Sequence, residues 1–346
     1  MARRSFRVAV SALPIGKVPP DALRRLVYTH VGARRADVLV RAAIGEDCAS
    51  IAFGDEVAVL TTDPITGAGH DLGWYAVFVA TNDLAAAGAE PVALLLTVLL
   101  RPADAAHELE RVMARAGDAA AALGIEIVGG HSEVTAGIDR TIAVVTAVGR
   151  ARRDAVLRSG AAQPGDALVM TKGAGIEGTA ILAADAEARL RPALGDALLR
   201  RARELRHRIS VLPEARAAAR AGAHAMHDVT EGGVLAAVHE MATASGLGVA
   251  LDADRVPVLA ETAAICARLG ADPLALIGSG ALLVATPQPA RVVEAVQAAG
   301  IHAALIGVFH SEAVSSRVVR RAGQERALIP PVRDELWRIL EAPTST

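Results

Sequence analysis

Residues 72–87 read Leu-Gly-Trp-Tyr-Ala-Val-Phe-Val-Ala-Thr-Asn-Asp-Leu-Ala-Ala-Ala, a stretch of helical length that is apolar on nearly every side. Asp71 can cap its start, and Gly88 with Pro91 marks its end. A helix with no polar face has to be covered all round, so the rest of the chain must build layers about it. Asp83 lies inside this stretch and follows Leu72, Ala76 and Val79 at the 0, 4, 7, 11 spacing of one helical face. A carboxylate in such surroundings is costly unless it pairs with a cation or binds one. An arginine partner and a bound metal both meet that requirement.

The chain of 346 residues, 52% of them hydrophobic, has the length and apolar content for two domains, each with its own core. A formal net charge of −2 and 2% aromatic residues argue against a nucleic-acid partner. No run is long enough to span a membrane, and the stretch after Arg3, Arg4 and Arg7 is too short for a secretory signal. Cys48 and Cys266 form neither a disulfide framework nor a metal-type spacing, so a cytoplasmic setting is expected. Of 36 Lys plus Arg, only Lys17 and Lys172 are lysine, and both sit beside glycine. A compact ammonium near phosphates is one reading of that choice. Residual lysine in an arginine-rich composition is the other.

Strand-like and helix-like segments interleave along the chain. A short helix at 20–31 follows an N-terminal arm. Strands are expected at 44–53, 57–62, 92–100, 125–128 and 141–148, with helices at 71–87 and 104–123. The turn-rich stretch 150–165 separates two halves, taken as domains 1–155 and 156–346. The second half carries strands near 167–171, 249–252, 280–286 and 303–308, with helices between them.

Three further aspartates interrupt apolar surroundings. Asp47 lies between Ile44-Gly45-Glu46 and Cys48-Ala49. Asp63 ends Val57-Ala58-Val59-Leu60-Thr61-Thr62. Asp228 precedes Val229-Thr230-Glu231-Gly232-Gly233. Capping or turn roles account for Asp63 and Asp228 singly. Taken with Asp83, the set offers hard oxygen ligands suited to Mg²⁺ bound together with nucleotide phosphates. Gly129-Gly130-His131-Ser132-Glu133 reads as a glycine loop after a strand, and Ile277-Gly278-Ser279-Gly280 as a second one. Gly173-Ala174-Gly175-Ile176-Glu177-Gly178 is a literal dinucleotide fingerprint, but no parallel strand follows promptly to close a βαβ unit. His224 and His227 lack companions for zinc and are expected at the surface or behind the site.

Taken together, these segments resemble the aminoimidazole ribonucleotide (AIR) synthase superfamily. That superfamily includes the hydrogenase maturation protein HypE, selenophosphate synthetase and thiamine-monophosphate kinase. The resemblance rests on Ile44-Gly45-Glu46-Asp47-Cys48-Ala49, Thr61-Thr62-Asp63, Thr81-Asn82-Asp83-Leu84, Gly129-Gly130-His131-Ser132, Gly175-Ile176-Glu177-Gly178, Asp228-Val229-Thr230-Glu231-Gly232-Gly233 and Ser279-Gly280-Ala281, in the family's order. It implies an α/β fold with a ferredoxin-like N-terminal domain that pairs in a homodimer, and a C-terminal α/β domain over an ATP cleft. It implies Mg²⁺ at Asp47, Asp63, Asp83 and Asp228. Asn82, Gly129, Gly130, Ser132, Glu133 and Thr230 would contact the nucleotide, and Asp83 and Lys17 would serve catalysis.

The overall look is nearest HypE, which acts on a cysteine at its own C-terminus. This sequence closes on Glu341-Ala342-Pro343-Thr344-Ser345-Thr346 without one, so a different acceptor is expected, small or protein-borne. The expected activity is ATP-dependent phosphoryl transfer. The alternatives are a kinase resembling thiamine-monophosphate kinase, a maturation or binding factor that does not turn over alone, and an NAD(P) oxidoreductase resting on the 173–178 loop.

Overall fold

The computed structural model describes residues 17–31, 33–67, 69–311 and 317–341. A short helix α1 (Pro20–Leu26) leads into β1 (Val38–Val40), a strand lying where only an arm was expected. There follow β2 (Ala49–Phe53), β3 (Glu56–Ile65), α2 (Leu72–Ala86), β4 (Glu90–Leu100), α3 (Ala105–Leu123), β5 (Glu126–Val134) and β6 (Ile142–Arg152). The six strands form one sheet in the order β1-β2-β3-β6-β4-β5, in which only β4 and β5 pair in parallel.

The second half comprises β7 (Ala167–Thr171), α4 (Ile176–Asp185), α5 (Glu187–Glu204), α6 (Leu212–Arg220), β8 (Ala225–Asp228), α7 (Gly233–Ser245), β9 (Gly248–Asp252), α8 (Ala260–Leu269), β10 (Leu282–Thr286), α9 (Pro289–Ala298), β11 (Ala303–His310), β12 (Arg317–Arg321), β13 (Gln324–Ala327) and α10 (Glu335–Leu340). Its sheet runs β13-β12-β9-β11-β7-β10-β8. The mixed α/β fold with two sheets is the architecture expected. Both neighbours of β7 are antiparallel to it. The glycine loop after β7 therefore opens no βαβ unit, and the dinucleotide reading loses its structural basis.

Helix α2 is the hinge of the arrangement. It is buried almost throughout, as its composition requires. It packs on β3, β6 and α3 of its own half and on α6 and β8 of the other. Gly73 permits the contact with α3, since a Cβ there would lie 2.0 Å from the Val112 carbonyl oxygen. A helix wedged between two sheets brings its polar residues to their junction, which is where Asp83 sits.

Several local expectations change. The 44–48 segment is a turn rather than strand, with Gly45 at φ +78°, so Asp47 stands just before β2. Asp63 lies within β3, not at its end. Strand β5 runs straight through Gly129 and Gly130. A Cβ at Gly130 would fall 1.9 Å from the Leu96 oxygen, so glycine there lets β5 approach β4.

Candidate active site

A cleft of about 1010 Å³ opens between the halves. Asp47, Asp63 and Asp83 reach it from the N-terminal half, and Asp228, Thr230, Glu231 and Glu177 from the C-terminal half. The Thr61 hydroxyl, at 2.6 Å from Asp83 Oδ2 and 3.3 Å from Asp63 Oδ2, lies between these two carboxyls. One side-chain atom each from Asp47, His227 and Asp228 lies within 4.8 Å of the others. Asp228 is buried, and its Oδ2 has no hydrogen-bond partner among the described residues.

The electrostatics of the cluster are repulsive. Burial, then the charges of Asp228, Asp63 and Asp47, holds the Asp83 carboxyl well above the usual range. Burial also raises Asp63, and hydrogen bonding with Asp83 and then Thr61 offsets part of that rise. Burial and neighbouring Asp47 push Asp228 to about 7. Carboxylates gathered this closely in a buried cleft are completed by positive charge. Cys48 lies among them, and burial with the aspartates raises its thiol well above its ordinary value. It is a protonated filler rather than a nucleophile, as expected for a small core residue.

His227 is not at the surface. It is buried between two carboxylates, with Nδ1 at 2.8 Å from Asp47 Oδ2 and Nε2 at 3.3 Å from Glu240 Oε2. Burial opposes its charge, but Asp47 and Glu240 overcome that and raise it to about 10, so both ring nitrogens carry protons at neutral pH. Ser159 donates to Asp47 at 2.8 Å, and Lys17 Nζ donates to Glu240 Oε1 at 2.8 Å. Despite its burial, Glu240 is held down at about 2 by Lys17 and His227. A chain of alternating charge, Lys17–Glu240–His227–Asp47, therefore fixes a candidate metal ligand from behind. Lys17 reaches the cleft but is engaged by Glu240. His224, by contrast, is partly exposed and bonds Asp166 at 3.0 Å.

Other expected residues lie elsewhere. Both ends of the Asn82 amide are engaged: Nδ2 donates to the Ile209 carbonyl, and Oδ1 accepts from the Val211 N–H, each at 2.9 Å. Asn82 thus ties α2 to the 209–211 segment and offers nothing to a nucleotide. Gly129, Gly130, Ser132 and Glu133 are exposed on the edge strand β5, outside the cleft of their own chain. Lys172 adopts φ +55° and is buried, with Nζ at 2.5 Å from Glu214 Oε1 and bonds to the Ser210 and Gly280 carbonyls. It is a structural ion pair, not a phosphate contact. Glu177, Glu240 and Ser159 were not singled out by sequence. Only Glu177, a carboxylate in an apolar helix start, carried a readable signal.

The profile of the N-terminal domain of AIR synthase related proteins matches residues 45–151, and that of their C-terminal domain matches residues 163–319. The carbamoyl dehydratase HypE of Rhodobacter capsulatus is 30% identical over 83% of this chain and 83% of its own length. The chain belongs to the AIR synthase related family. A thiamine-monophosphate kinase of Methanospirillum hungatei is 29% identical over 62% of this chain and 71% of its own. A solved HypE in complex with ATP superposes with a TM-score of 0.65 at 26% identity, covering 90% of each chain. Among the described residues no helix is long and apolar enough to cross a membrane.

Proposed function

We propose that this family member is an ATP-dependent enzyme that uses Mg²⁺ and the γ-phosphoryl group of ATP to activate a small-molecule or protein-borne acceptor. The observation that carries the reading is Asp228 Oδ2, a buried oxygen without a partner among the described residues, facing a cleft in which Asp47, Asp63 and Asp83 also converge. Hard carboxylate oxygens in this number fit Mg²⁺ and match neither zinc nor a thiolate metal. Asp47, Asp63, Asp83 and Asp228 would hold the metal, which neutralises phosphate charge and polarises the transferred group.

The protein's own contribution is positioning. His227, Glu240 and Lys17 form the ionic chain that orients Asp47. Thr61 spaces Asp63 from Asp83. Thr230, on the loop after Asp228, faces the same space. The HypE relative solved with ATP supports the nucleotide part of the reading, and the HypE and kinase relatives support ATP-dependent chemistry.

A homodimer is part of the proposal. Val92, Leu95, Val128 and Val134 leave 43–57% of their surface exposed on β4 and β5, an apolar face that a second copy would cover.

Titration calorimetry of ATP with Mg²⁺ into the wild type and Asp83→Asn tests the cleft. Micromolar binding in the wild type and at least a tenfold loss in the variant is the expected result. Equal affinity in the two proteins excludes Asp83 from the site.

A further inference from the structure

We infer that Glu177, backed by Ser279, forms the acceptor end of the cleft and takes the proton given up by the acceptor's attacking N–H or O–H group. This rests on the ATP-dependent reading above.

Glu177 stands in the first turn of α4, which is pressed against the 276–279 segment. The Gly178 N–H donates to the Ile277 carbonyl at 3.0 Å, and a Cβ on Gly178 would fall 2.5 Å from Leu276 Cγ. The backbone thus fixes where the Glu177 side chain can point. That side chain lines the cleft, yet the residue is only 3% exposed. Its Oε2 has no hydrogen-bond partner among the described residues. Ser279 Oγ, buried in the same wall, also has none.

Ser279 bears on the Glu177 carboxyl through its N–H and hydroxyl, yet neither Glu177 Oε2 nor Ser279 Oγ has a close hydrogen-bond partner among the described residues, and native interiors rarely keep such buried groups without a ligand. A carboxylate acceptor beside a hydroxyl that can donate or accept is a complementary pair for an amide, an amine or a hydroxyl.

The surroundings also set the charge of that ligand. No cation pairs with Glu177 among the described residues. Asp334, Glu231 and the Tyr75 phenol are the titratable groups that bear on it. Asp334 is itself engaged, accepting from the Gly232 N–H at 2.6 Å and the Leu336 N–H at 2.7 Å. The wider cleft presents nine carboxylates against Lys17, Arg140 and His227. An acceptor carrying a phosphate or carboxylate at this end would be repelled, whereas a neutral or cationic donor is favoured.

Burial, offset in part by Ser279 and reinforced by Asp334 and Glu231, brings Glu177 to about 7, the range in which a general base works best at neutral pH. The step balances. The acceptor heteroatom bonds to the γ-phosphorus, the bond from that phosphorus to the β,γ-bridging oxygen breaks, and ADP leaves with the electron pair. The acceptor's proton passes to Glu177 Oε2.

The test follows ADP formation from MgATP with glycinamide or with glycolate as the probe acceptor, in the wild type and Glu177→Gln, across pH 5.5–8.5. Glycinamide should accelerate the wild type, and glycolate should not. The accelerated rate should rise with pH through about 7. In Glu177→Gln it should fall on the order of a hundredfold and lose its pH step, with MgATP affinity by calorimetry kept within about twofold. Glu177→Asp, which keeps a carboxylate, should restore the pH step at a lower rate and serves if the glutamine variant does not fold. A wild type that binds MgATP but ignores glycinamide, a preference for glycolate, or a glutamine variant with wild-type rate and profile each overturns the assignment. Failure of the wild type to bind MgATP instead overturns the nucleotide reading beneath it.

Discussion

The acidic cluster should make the metal-free protein less stable as pH rises, and removing one of its charges should reverse that. Asp228 shows this most directly. Burial and Asp47 raise it to about 7 from an ordinary 3.8. That rise corresponds to roughly 4 kcal/mol in favour of the protonated carboxyl. The sign follows from linkage. Between the unfolded and folded pKa values the native state holds a proton that the unfolded state has lost, so stability falls as pH climbs from about 4 to about 7.

Asp228→Asn has nothing to ionise. In chelator at pH 8 it should exceed the wild type in stability, by at most roughly 4 kcal/mol and by less where water reaches the cleft or the attraction to His227 is lost. His227 also contributes a decline. Its pKa is raised from 6.5 to about 10, so its stabilisation is full below 6.5 and is lost as pH rises through 10. Asp47 and Glu240 set most of that term and are present in both proteins, so most of it cancels in the difference between them. Glu240, held at about 2, loses its contribution only in strong acid, below the window used. With MgATP the order should invert: at a hundredfold excess over Kd the wild type gains about 2.7 kcal/mol and the variant little. Urea denaturation at pH 5 and pH 8, in chelator and in MgATP, measures all of this. A variant less stable than the wild type at pH 8 in chelator, or a gap between them that does not widen with pH, refutes the account of the cluster as strained until charged.

Two further expectations follow from other parts of the molecule. Lys172→Met leaves Glu214 buried and unpaired and should cost about 3–5 kcal/mol in urea denaturation, whereas Lys172→Met with Glu214→Leu should recover most of it. Val128→Asp on the exposed face of β5 should convert a dimer to a monomer in analytical ultracentrifugation while leaving the monomer folded. A protein that sediments as a monomer before mutation removes the dimer from the proposal.

What could be read from the sequence divides along a physical line. Local composition revealed α2, because an all-apolar helix has only one kind of environment. It also revealed Asp47, Asp63, Asp83 and Asp228, because each is a charge in a place where a charge is costly. Those arguments need only near neighbours along the chain. The glycines at 129 and 130 were ambiguous for the same reason: a phosphate loop and a close strand contact ask the same thing of the backbone, and the position of Leu96 shows that they serve the second within this chain. Asn82 misled because its neighbour Asp83 belongs to the cleft, while one residue along a helix turns the side chain toward Ile209 and Val211.

The part that stayed hidden depends on partners far apart in sequence. His227 binds Asp47 across 180 positions, and Lys17 meets Glu240 across 223. Asp47 and Lys17 stand out where they are, but their partners do not: a histidine before an aspartate, a glutamate on a helix. Their meaning comes from the closure of one half of the chain on the other. The same closure creates the cleft, so the groups that orient Asp47 exist only when the site itself exists. A change that loosens the contact between the halves should therefore weaken metal and nucleotide binding together with the ionic chain. It should do so even when it touches none of the four aspartates.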